Sequence, residues 1–155
     1  MIKVPWTTDN EELPVFYRLS SGAYVLACLP YYKLVPRSTM LYIWICFTSY
    51  MNDQKHLFRD TTVWRYIDRV SASLGMFNLI AQFVLHGNKV TWSKRCYFLF
   101  CILMKLTFFR LSRCSWKRGH TEAFFRWHAC WHYSALMFCP CIGWIYSHPS
   151  CQSKV

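Results

Sequence analysis

The chain has 155 residues, 54% of them hydrophobic, yet Lys and Arg outnumber Asp and Glu by 18 to 7 for a net charge of +11. So much apolar surface together with so much positive charge exceeds what a soluble core absorbs, and a bilayer reconciles the two: lipid covers the apolar faces while cationic loops meet anionic headgroups. The basic residues punctuate apolar runs and do not form a polar face, which excludes nucleic acid as the partner.

The first twelve residues, MIKVPWTTDNEE, form a polar amino-terminal segment without the basic and apolar regions of a cleavable signal. Residues 13–147 read as an all-α transmembrane helical bundle of about five spans, and residues 148–155 as a short tail. The first apolar segment runs from Leu13 to Tyr32 and carries Arg18 and Pro30. The second, Thr39 to Met51, reaches the ~20 residues of a span when extended from Pro36 to Asn52. The third, Val63 to Leu85, and the fifth, Ala123 to Tyr146, are long enough to span unaided. The fourth, Cys96 to Leu111, contains Lys105, which at mid-bilayer must snorkel or face the bundle interior. The Lys and Arg balance of the loops makes the amino terminus cytoplasmic.

Nine cysteines without a C-x-x-C pair give no disulfide framework and no zinc ribbon. They read as small hydrophobes, with Cys139, Cys141 and Cys151 as candidate acylation sites near an interface.

Chemistry concentrates at one end of the bundle. His128 and His132 stand four apart, which on a helix puts both imidazoles on one face, a chelating geometry that suits zinc. The bland alternative is a pair of interfacial histidines among tryptophans. By span parity the end of the second segment, with Ser49 and Asp53, and the start of the third, with Asp68, open on the same side. Asp68 either joins the histidines or pairs locally with Arg65 or Arg69. His56 and His120 flank the site as reserve ligands, and Ser71 and Ser73 read as helix-packing residues.

A serine ending an early helix, an aspartate opening the next and H-x-x-x-H on the last helix resemble the CREST superfamily of membrane hydrolases and receptors, which includes alkaline ceramidases, adiponectin and progestin receptors, GPI-remodelling proteins and myomaker-like proteins. The matching residues are Ser49, Asp68, His128 and His132. The resemblance implies zinc, a catalytic role for Asp68 as base or orienter, an oxyanion role for Ser49, and a lipid amide or ester substrate. Two features depart from the family. This chain has five apolar segments where seven helices are usual, and Tyr50, Met51 and Asp53 stand where a third histidine would follow the serine. The expected metal ligands are therefore His128, His132 and a carboxylate, Asp53 first. A non-catalytic membrane scaffold or accessory protein is the competing class. Thiols introduced beside Lys117 and beside Asn88 are expected to react from opposite faces of a sealed vesicle; reaction of both from one face rules out five spans.

Overall fold

The computed structural model describes residues 14–33, 36–55, 62–86 and 90–146, and every element among them is helical. The first apolar segment is a chain of short pieces: α1 (Val15–Arg18), a 3-10 turn (Ser20–Gly22), α2 (Ala23–Cys28) and a second 3-10 turn (Leu29–Tyr31). Ser20, Ser21 and Gly22 are weak helix formers, and Pro30 has no N–H to continue the ladder. Three long helices follow, α3 (Pro36–Lys55), α4 (Thr62–His86) and α5 (Trp92–Lys117). The last apolar segment is α6 (Thr121–Tyr133), a 3-10 stretch (Ser134–Phe138) and α7 (Cys139–Tyr146).

The expected helical segments are thus present, with changed ends and two interruptions. α5 runs on to Lys117, beyond the expected Leu111. The fifth segment is not one continuous helix, because the 3-10 stretch divides it. Among the described residues no helix is long and apolar enough to cross a membrane. The third segment falls short because Arg65, Asp68, Arg69, Asn78 and Gln82 dilute its hydropathy.

α3 and α4 pack as an antiparallel pair. Each step along α3 is matched by a step back along α4: Asn78 Nδ2 donates to Ser38 Oγ at 3.2 Å, Tyr42 to the Gly75 carbonyl at 3.4 Å, and Trp44 Nε1 to Ser71 Oγ at 3.0 Å. Ser71 therefore joins helices, whereas Ser73 turns back onto the carbonyl of Arg69. Gly75 allows the close approach, since a methyl group there would collide with Ile45 Cδ1. α5 and α6 form the other main pair, with α1 and α2 laid against α3 and α6. One apolar cluster joins Leu79, Phe98, Cys101, Phe138, Cys141 and Ile142; a second joins Tyr24, Ala27, Ile45 and Ala135. The described cysteines are all free, and burial of Cys141 removes it as an acylation site. Cys151 lies outside the described residues.

The reversal from α5 into α6 is made by Gly119 at φ 74°, in the left-handed region. Its N–H donates to the Trp116 carbonyl at 3.1 Å, and that of His120 to Ser115 at 3.0 Å, capping the exposed carbonyls of α5 in a Schellman arrangement. α6 begins at Thr121, so this one turn fixes how its histidines meet α5. Gly119→Ala is expected to lower unfolding free energy by about 1–2 kcal/mol, the cost of a left-handed Cβ, with a smaller loss for Gly119→Asn. Chemical denaturation of the three proteins checks that order.

Candidate metal centre

Asp53 sits near the carboxyl end of α3, and His128 and His132 lie one turn apart on α6. Each offers a ligand atom, and these atoms lie within 4.8 Å of one another. His128 Nε2 is 3.2 Å from Asp53 Oδ1, and His132 Nδ1 is 3.7 Å from Asp53 Oδ2. The two imidazole centroids are 4.6 Å apart. Asp53 and His132 are fully buried and His128 mostly so, and both imidazoles turn toward the protein interior.

Every member of this trio is held through one atom and leaves another open. Tyr17, from α1, donates its hydroxyl to Asp53 Oδ1 at 3.0 Å. Ser20 Oγ lies 2.9 Å from His132 Nδ1, and Ser112 Oγ, on α5, lies 3.3 Å from His128 Nδ1. Asp53 Oδ2, His128 Nε2 and His132 Nε2 have no hydrogen-bond partner; the His128 contact with Asp53 is close enough for an ion pair but misaligned for a hydrogen bond. Three buried polar atoms without partners are costly in a folded interior.

The tautomer of His132 follows from proton bookkeeping. Ser20 Oγ donates its only proton to the Tyr17 carbonyl at 2.7 Å, so it can only accept from His132. His132 Nδ1 therefore carries hydrogen, and a neutral ring keeps its lone pair on Nε2. Metal-bound histidines commonly show this pattern, with the far nitrogen donating to an outer group that fixes the ring.

Ser49 and Asp68 form the adjoining pair. The Ser49 hydroxyl donates to Asp68 Oδ1, and both residues are buried. Asp68 lies within electrostatic reach of Asp53 and His128 but stands outside the three-ligand group. Asp53, not Asp68, is thus the carboxylate brought against the histidines. As Ser49 already gives its proton to Asp68, it orients that carboxylate here and offers no free donor to an oxyanion. His120 is exposed and takes no part in the cluster; His56 lies outside the described residues.

Lys105 faces the interior, as its place in an apolar helix requires. Its ammonium donates to the Trp131 carbonyl at 3.1 Å and sits over the rings of Tyr24 and Trp131, 5.0 and 5.3 Å from their centroids. Those two rings also pack on His132, at 5.5 and 4.8 Å, and so stand between the imidazoles and the space beside Lys105.

Tyr17, Ser20 and Ser112 escaped the sequence reading. The available signal was a hydroxyl in each apolar stretch at the depth of the histidines, too common a feature to single out. Comparison with known proteins gives no match by family pattern, by sequence or by fold.

Tyr17→Phe keeps the ring that packs on Phe125 and His128 and removes only the hydroxyl on Asp53. It is expected to cost about 1.5–3 kcal/mol, the range for a hydrogen bond to a charged group. Unfolding of the purified protein measures it, and an unchanged midpoint would show that the bond to Asp53 adds nothing.

Proposed function

We propose that the chain is a multi-pass membrane protein of CREST type whose Asp53, His128 and His132 hold zinc in a hydrolytic site for lipid amide or ester bonds. The observation that carries this reading is the donor set: two imidazoles and one carboxylate, buried, each with an open atom and each braced from behind. Two histidines and a carboxylate are a ligand set of catalytic zinc sites, in which the fourth position is left to water or substrate. Bound zinc supplies Lewis acidity and brings its water to a pKa of about 7.

The chain's own residues supply the remainder. Ser20 and Ser112 hold the imidazoles in place, and Tyr17 holds the carboxylate. Asp68, oriented by Ser49, is the neighbouring carboxylate to accept a proton from the attacking water. The amino terminus faces the cytoplasm in this reading.

The inside-out distribution of side chains supports placement in a bilayer. Ser49, Asp53, Asp68 and His132 are buried, whereas Leu74, Val84, Leu99 and Leu103 are more than half exposed. Water favours the opposite arrangement. A helix that turns polar groups inward scores low on average hydropathy while still presenting an apolar outer face, and this is how the reading accommodates the weak hydropathy of individual helices.

Elemental analysis of the detergent-purified protein is expected to find about one zinc per chain. His128→Ala, His132→Ala and Asp53→Ala should each lose the metal and lipid hydrolysis together, with helical circular dichroism retained. Protein that stays metal-free after zinc supplementation, or variants that keep full metal, would overturn the proposal.

A further inference from the structure

α4 and α5 meet at one end and part toward the other. Near the end of α4, Phe83 stacks on Phe98 of α5 with centroids 3.8 Å apart, and Leu79 joins the same cluster. Toward the start of α4 and the end of α5 a groove of about 530 Å³ opens, with Trp131 and Phe138 in its floor. Its volume falls within the roughly 300–1,000 Å³ of small-molecule sites.

The groove is graded in polarity along its length. Leu79, Ile80, Phe138 and Ile142 line the closed end. Arg69 and Arg113 line the open end, and Lys105 lies between. Every charged residue in the lining is cationic. Among the described residues neither arginine reaches a carboxylate at ion-pair distance; the Arg113 guanidinium lies 5.9 Å from the centroid of its own neighbour, Phe109. Lys105 is buried, and its hydrogen bond goes to a carbonyl, not to a carboxylate. From Arg69 to Ile80 the helix rises about 16 Å.

We propose that this groove binds a single-chain alkyl phosphate, the phosphate between Arg69 and Arg113 and the chain running past Lys105 toward Ile80 and Phe138. Two guanidiniums match a phosphate carrying about −1.5 to −2 charges and grip its oxygens in pairs, which a lone carboxylate satisfies less fully. The apolar end lined by Leu79, Ile80, Phe138 and Ile142 suits the terminus of the alkyl chain. Nothing in this site requires the metal, so it stands or falls separately from the hydrolytic reading.

The test uses the full chain in phosphatidylcholine nanodiscs and a diazirine-bearing dodecyl phosphate, with crosslinks mapped by mass spectrometry. Labelling is expected on α4 and α5 around Met76, Ile80 and Leu106, competed by unlabelled dodecyl phosphate but not by dodecanol or inorganic phosphate. The double variant Arg69→Gln, Arg113→Gln should weaken competition about tenfold or more, the Arg→Lys pair less, and Ile80→Trp should block labelling by filling the groove. Removing metal by chelation should leave all of this unchanged. Equal competition by dodecanol would make the groove a plain apolar slot; competition by inorganic phosphate alone would leave only an anion site. Either result, or labelling indifferent to both arginines, overturns the proposal.

Discussion

The buried carboxylate of Asp53 organises the molecule. A carboxylate taken from water is tolerated only with partners close by, and Asp53 draws three from two helices: Tyr17 of α1, and His128 and His132 of α6. Those partners are secured in turn, His132 by Ser20 and His128 by Ser112 of α5. One side chain on α3 is thereby tied through a single polar layer to the first segment and to the α5–α6 pair. The same requirement accounts for the broken first segment. Tyr17 and Ser20 serve different residues of the centre, and the Ser20 hydroxyl also closes on the Tyr17 carbonyl, so the chain turns tightly here instead of running on as a straight helix.

Around this polar layer the apolar side chains do two different jobs. Some form the inner clusters, such as Leu79 with Phe98 and Phe138. Others, including Leu99 and Leu103, point outward and are more than half exposed. The aromatic wall of Tyr24 and Trp131 divides the interior into two compartments, with the imidazoles on one side and the ammonium of Lys105 on the other. Trp131 serves both, through its ring against His128 and His132 and through its carbonyl to Lys105.

The sequence made the helical segments legible because each is an apolar run bounded by charges or turn residues. It also made legible that a carboxylate, Asp53 or Asp68, could approach His128 and His132, because helix spacing puts the histidines on one face and parity puts the end of α3 and the start of α4 on the same side. What stayed hidden depends on contacts between distant segments. Whether Asp53 or Asp68 reached the imidazoles is a question of helix rotation, and the antiparallel register that pairs Ser49 with Asp68 answers it by occupying Asp68. The bracing by Tyr17, Ser20 and Ser112 joins residues as much as 112 positions apart. The groove was likewise invisible, because it arises where α4 and α5 fail to touch. Even the 3-10 stretch at Ser134–Phe138 has a tertiary correlate, since the Met137 carbonyl accepts from Tyr97 of α5 at 3.1 Å.

Charge balance in the interior gives the metal reading an argument separate from ligand geometry. With their side chains ionised, Asp53 and Asp68 bring two negative charges into the buried layer, and Lys105 brings one positive charge from behind the aromatic wall. Lys105 is near enough to act electrostatically on both Asp68 and His132, but it does not touch Asp53. Asp53 Oδ2 and the Nε2 atoms of His128 and His132 are left without hydrogen-bond partners in this layer. Protonating an imidazole would supply one positive charge, and the two rings stand 4.6 Å apart. A divalent cation held by Asp53, His128 and His132 would turn a net negative interior into a slightly positive one.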